Sequence, residues 1–234
     1  KNNSPASTIT LSDGTELRVY PDSDHTLYTL ANGTDLLLEN HLQTPENTMA
    51  VGKKNIDHLE ENAKASVLAY YEERGRLYDI MEELEKASAI YQQSQNKENF
   101  SMMRIEQNVY PTAANDRLIF FQTSLHLPLA EKTFTERNLC EVFDRKTGAY
   151  IPIEDLFICP LEELGSQLLA LAHLSDADRA DMETAFRREY IFFTEDSLCI
   201  DFPAGSLTNY KEQYIVPLKY TSDLRGLMHD WAIP

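Results

Sequence analysis

Apolar and polar positions alternate with a period of two near the start of the chain. Leu17 and Val19 alternate with Glu16, Arg18 and Tyr20, which predicts a strand buried on one face. Residues 8–11 and 15–20 flank Asp13-Gly14, and residues 25–30 and 34–39 flank Asn32-Gly33. Each dipeptide is a two-residue hairpin signal, so two successive hairpins are expected. Residues 40–53 hold Pro45, Asn47 and Gly52 and read as a loop.

The period then changes. Over residues 55–94, Ile56, Ala63, Tyr70, Leu77, Leu84 and Tyr91 recur every seven positions, and Leu59, Val67, Ile80, Met81 and Ala87 fill the adjacent stripe. That pattern predicts a long helix with a narrow apolar seam. Gly75, near its middle, weakens a helix interior by roughly 1 kcal/mol relative to Ala, and marks a bend or a break. Ser66 and Glu73 interrupt the second seam position, so the stripe is expected to pack on the chain's own sheet instead of forming a coiled-coil dimer.

From residue 101 the period-two pattern returns. Met103, Ile105 and Val109 alternate with Arg104, Glu106 and Asn108. Ile119, Phe121, Thr123, Leu125 and Leu127 make one face of the next strand, with Gln122, Ser124 and His126 on the other. Residues 134–143 form a third strand, and Lys146-Thr147-Gly148 turns the chain into 149–153. Two helices follow, opened by Pro160 and by Ser175 with its capping partner Asp178. Strands at 190–194, 198–202 and 214–220 and a short helix at 222–229 close the sequence. Segregated runs of strands and helices argue for an α+β fold with a largely antiparallel sheet. The long N-terminal-half helix and the two shorter ones are expected to pack on it. In chain order the expected division is a flexible tether over 1–8, N-terminal strands plus the long helix over 9–99, and a C-terminal α+β domain over 100–234.

Charge changes the picture more than composition does. The formal charge is −17, which argues against nucleic acid and against an anionic membrane surface as partners. Hydrophobic residues at 42% suffice for a packed core despite that charge. No apolar run approaches the roughly 18–20 residues of a membrane-spanning helix. The first eight residues are small and polar, as a tether left by removal of a signal or anchor would be, so an extracytoplasmic location is expected. Three cysteines, Cys140, Cys159 and Cys199, do not make a disulfide framework.

Candidate chemistry is sparse. Glycine-rich phosphate loops, a His-Glu-x-x-His helix and a Gly-x-Ser-x-Gly elbow are missing from the sequence, so no catalytic, cofactor-binding or metal-ligating set is assigned. Asp176, Asp178 and Asp181 have calcium-like spacing. However, Asp181 stands where such a loop needs glycine, and the triplet is read as anions at a helix N-terminus. His126, on the polar face of its strand, is a candidate binding residue. The pairs Glu72-Glu73 and Glu82-Glu83 (with Glu60-Glu61) are expected to line the exposed side of the long helix, where they would dock a basic partner.

One segment carries a family resemblance. Residues Phe143-Asp144-x-Lys146-Thr147-Gly148-x-Tyr150-Ile151-x-Ile153-Glu154-Asp155-Leu156-Phe157 resemble a run in a domain family of unknown function. That family occurs in the extracytoplasmic, lysozyme-sensing part of the anti-sigma-V factor, beside peptidoglycan deacetylase domains, and in stand-alone secreted bacterial proteins. Tyr190–Leu198, Phe202-Pro203 and Gln213–Leu218 are similar to later runs of the same family, so the resemblance spans roughly residues 100–229. Two departures stand out. Ser124-Leu125-His126-Leu127-Pro128-Leu129 replaces a stretch that often holds a glycine pair and a histidine, and Ser197 stands where glycine is usual. The deacetylase domain and its metal ligands are missing. The resemblance therefore implies a non-enzymatic extracytoplasmic binding or sensing module. Its partner would be a basic protein such as a lysozyme or a cell-wall component. The alternative is an enzyme or enzyme-accessory domain acting on cell-wall glycan through a carboxylate pair.

Overall fold

Both hairpins form at their turn dipeptides. In the computed structural model, which describes residues 4–45 and 56–234, β1 (Ser7–Thr10) pairs antiparallel with β2 (Glu16–Pro21), and β3 (His25–Leu30) with β4 (Asp35–Asn40). The turns close through Leu11 N–H donating to Thr15 O at 2.8 Å and Leu30 N–H donating to Thr34 O at 2.9 Å. The first strand begins one residue earlier than the expected 8–11, with Ser7 and Thr8 facing Val19 and Arg18, so the tether expected over 1–8 gives up its last two residues to β1. Positions 1–3 of that tether, and 46–53 of the expected loop, lie outside the described residues.

Of the bend or break expected at Gly75, the break is what forms: the long helical run is two helices, α1 (Glu61–Arg74) and α2 (Ile80–Gln93). Gly75 causes the break. Its φ of +60° lies in the left-handed region that costs a side-chain-bearing residue energy, and its N–H caps α1 by donating to Tyr71 O. Asp79 then caps α2, its carboxylate accepting from Glu82 N–H at 3.0 Å. Leu77, a position of the seven-residue repeat, is thereby left in the connection, its N–H donating to Gln107 Oε1 at 2.8 Å.

Three long strands follow, β5 (Met103–Ala114), β6 (Leu118–Ala130) and β7 (Thr133–Asp144), and then the short β8 (Tyr150–Ile151). β1 to β8 are hydrogen-bonded in chain order in one eight-stranded sheet, antiparallel for the most part, with β4 and β5 parallel. α3 (Leu161–Ala170) and α4 (Asp176–Ala185) precede β9 (Ile191–Phe193), β10 (Ser197–Phe202) and β11 (Tyr214–Lys219). These last three strands form a second, antiparallel sheet with β10 in the middle. The fold class is therefore α+β with a largely antiparallel sheet and helices packed on it.

Packing divides the chain into two compact units that are discontinuous in sequence. Residues 1–42, 76–108 and 125–136 make one, and 43–75, 109–124 and 137–234 the other. The boundary at 99/100 follows the order of elements, whereas packing groups α1 and α2 apart. In the first unit α2 lays Leu84, Ala87 and Tyr91 on Leu17, Leu37 and Ile105. In the second, α1 buries Ala63, Val67 and Tyr71 against Ile119, Phe121 and Phe143. A larger core in the second unit gathers Phe120, Phe193 and Phe202 with Leu164 and Leu168 of α3.

The turn that carries the family resemblance has a structural explanation. Asp144 Oδ1 accepts from the N–H groups of Lys146 and Thr147, both at 2.9 Å, and from the Thr147 hydroxyl at 3.2 Å. Gly148 follows with φ of +70°, and a Cβ there would stand 2.3 Å from Ala63 O of α1. Only glycine admits that approach of helix and turn. Phe143, Ile153, Leu156 and Phe157 of the same run are buried in the core. The quoted motif is thus a turn and its packing, not a reactive constellation.

Candidate functional site

β6 and β7 are joined by a two-residue turn, Glu131-Lys132, with Lys132 at φ +63°. The hairpin, residues 125–136, belongs to the first unit, as does the start of β5. Together they enclose an open groove of about 270 Å³. Its apolar walls include Met102, Pro128 and Phe134, and Phe134 is 50% exposed. His126 stacks on the Phe134 ring with centroids 4.1 Å apart and 29° between planes. Its Nδ1 lies 3.5 Å from Glu136 Oε1. The sequence reading placed His126 on the polar face of its strand; the aromatic partner two residues past the turn was not foreseen. A histidine and a phenylalanine near the ends of two successive predicted strands were the available signal.

The acidic candidates fall apart into the two units. Glu72 and Glu73 are exposed on α1, and Glu82 is exposed on α2. Glu83 corrects the expectation of a wholly exposed row: it is buried, and it pairs with Lys86 Nζ at 3.0 Å. The helix break is the reason. α2 starts afresh at Asp79, and its buried stripe is Glu83, Leu84, Ala87, Ser88 and Tyr91, so Glu83 sits at the edge of the apolar seam.

Three other carboxylates among the described residues, Glu39, Glu141 and Asp201, are buried deeply and were missed. In the first unit Glu39 accepts from Tyr78 OH at 2.8 Å and Tyr28 OH at 3.2 Å, with Arg76 Nη2 at 3.8 Å. Burial, with the nearby Glu39 charge, pushes the Tyr28 hydroxyl up to about 12. In the second unit Glu141 accepts from Tyr71 OH at 2.8 Å and from Thr123, and Arg74 Nη1 lies 3.1 Å away. Desolvation raises the Glu141 carboxyl above its usual range; Arg74 and the donated hydrogen bonds pull against that shift without cancelling it. Both glutamates occupy the buried phase of their strands, Glu39 in step with Leu37 and Glu141 with Phe143. A glutamate in step with apolar neighbours was the signal in the sequence.

Two of the three aspartates, Asp178 and Asp181, act as a clamp within the second unit. Asp181 accepts from the N–H groups of Thr208 at 3.0 Å and Asn209 at 2.9 Å, and Asp178 accepts from Tyr210 OH at 3.2 Å. These bonds tie the loop before β11 to the first turns of α4. Among the described residues no group of three or more His, Cys, Asp or Glu side chains is arranged to hold a metal ion. Cys140 and Cys199 are buried strand thiols, and burial pushes Cys199 up to about 11. Among the described residues no helix is long and apolar enough to cross a membrane.

No family model and no curated protein matches the chain. Among solved structures, a DUF3298 family protein from Pseudomonas aeruginosa PAO1 is 14% identical, with 99% of this chain and 98% of that chain covered at a TM-score of 0.42. A DUF3298 family member from Bacteroides fragilis is 11% identical, with 98% and 96% covered at a TM-score of 0.48. The structural neighbours are thus proteins of a domain family of unknown function.

Proposed function

We propose that this chain is a non-enzymatic binding or sensing module that works outside the cytoplasm and receives a basic protein, with a lysozyme as the first to test. The observation that carries the reading is the formal charge of −17, displayed in part by exposed Glu72, Glu73 and Glu82. Opposite net charges accelerate encounter and orient the partners. The resemblance of residues 143–157 to the sensing part of the anti-sigma-V factor supports lysozyme as the partner.

Titration calorimetry decides it. A lysozyme and an unrelated protein of similar positive charge are titrated at low salt and at about 0.3 M, where screening confines surface electrostatics to a few ångströms. A specific interface retains affinity for lysozyme at high salt and favours it over the other cation. Equal affinities that both vanish at high salt would sink the reading and leave only acidity.

A further inference from the structure

The groove at the β6–β7 hairpin is lined by basic side chains in a chain that is acidic overall. Acidic residues outnumber basic ones 38 to 21 in the sequence. The groove lining nevertheless contains Arg104, Lys132 and His126 and no aspartate or glutamate. Carboxylates stand behind these lining residues: Glu131 precedes Lys132 in the turn, and Glu106 and Glu136 each contact one of the others. Glu106 accepts from Arg104 Nη1 at 3.1 Å and from Asn40 Nδ2 at 2.8 Å, and Glu136 lies against the Nδ1 side of His126. Arg104 keeps half of its side chain exposed, at 52%, and its planar fork holds five donors, more than Glu106 uses. Lys132 is exposed at the turn. Between these cations lie apolar surfaces that a soluble protein normally covers: Met102 is 39% exposed and Phe134 50%.

From this we infer that the groove is a binding site for a small organic anion with an apolar body, an amphipathic carboxylate. The apolar part would rest on Met102, Pro128 and the Phe134 ring, with the carboxylate toward Arg104 and Lys132. Stacking on His126 holds the Phe134 ring in place before any ligand arrives, which lowers the ordering cost of binding. The volume of about 270 Å³ lies below the ~300–1,000 Å³ of drug-sized pockets, so the ligand is small. The site is independent of the basic-partner reading: it uses the cations of an acidic chain, and either stands if the other falls.

The test is methyl NMR on the full chain with [13C-methyl]Met, following Met102 and Met103 while octanoate, 1-octanol and octylamine are added separately. Octanoate should give saturable shifts at both methyls. Octanol should bind about tenfold more weakly, as the loss of a charge-assisted hydrogen bond implies, and octylamine should give no saturable shift. The double variant Arg104→Met, Lys132→Met keeps the apolar stems, so it should lose octanoate by about tenfold and leave octanol unchanged. Phe134→Ala should weaken octanoate and octanol together. Unchanged dispersion of the remaining methionine methyls reports that the variants are folded. Equal binding of octanoate and octanol, or octanoate shifts that do not saturate, would overturn the inference.

Discussion

Arg74 and Glu141 form a buried ion pair 3.1 Å apart, with side chains only 15% and 4% exposed. Arg74 is the last residue of α1, and its guanidinium also lies 4.8 Å from the centroid of the Tyr71 ring and donates to Thr123 Oγ1 at 2.9 Å. The pair therefore fastens the end of the helix to β6 and β7 at the residue before the Gly75 break. Removing one partner leaves the other charged and desolvated, so Arg74→Met should lower stability by about 3–5 kcal/mol. The double variant Arg74→Met, Glu141→Leu removes both charges and should be less destabilised than Arg74→Met alone. Urea unfolding of the two variants measures this. A double variant less stable than the single one would show that the pair is not what makes Arg74 matter.

The direction of the Glu141 shift sets a pH dependence. Its carboxyl is raised in the folded state, so the native protein holds that proton more tightly than the unfolded chain, where glutamate titrates near ~4.3. Its contribution is full below the unfolded value and is lost as pH rises through the raised one. Relative to Glu141→Gln, which does not titrate, the wild type should lose stability between pH 4 and pH 7. Denaturant midpoints of both proteins across that range report the difference. A gap that moves in favour of the wild type as pH rises would mean that Arg74, and not desolvation, dominates.

Leu84 is fully buried on α2, whereas Met81 one turn earlier is 38% exposed. Leu84→Ala should cost about 2–5 kcal/mol. Met81→Ala should stay within about 0.5 kcal/mol, as surface substitutions do. Thermal unfolding of the two variants side by side tests whether the break at Gly75 has been placed correctly, because a continuous seam would make both costly.

Gly148 is the position where a single methyl group should do most harm. Left-handed backbone strain adds to a collision with Ala63 O at 2.3 Å and Ser66 Cβ at 2.7 Å, so Gly148→Ala should cost about 2–5 kcal/mol. Gly226 has no positive φ, and a Cβ there meets its nearest atoms at 3.4 Å. Gly226→Ala should change stability by no more than about 1 kcal/mol. Calorimetric melting of both variants gives the comparison, and similar losses would mean that the turn shifts to accept the methyl.

What local pattern dictates was legible in the chain. The hairpins at Asp13-Gly14 and Asn32-Gly33, the alternation of Met103, Ile105 and Val109, and the Ser175–Asp178 cap all rest on interactions among near neighbours, and near neighbours are what a sequence displays. The α+β class followed from the order of those elements.

The seven-residue repeat over residues 56–91 was a different matter, because it describes one seam where the fold has two. Gly75 marked a bend or a break, but only the tertiary structure shows that α1 and α2 turn their apolar faces to different sets of strands. Glu39 and Glu141 show locally only as glutamates in step with apolar neighbours, because the Tyr groups that meet them lie 39 and 70 residues away, whereas Glu83 pairs with nearby Lys86 and its burial follows from the restart of α2. His126 was visible as a polar strand residue, but its stack on Phe134 and the cation-lined groove around it exist only because the hairpin lies against the start of β5. The sequence by itself determined the local elements and the charge; the tertiary structure alone decided which charges are buried, paired or free to meet a ligand, because burial is a property of the packed chain.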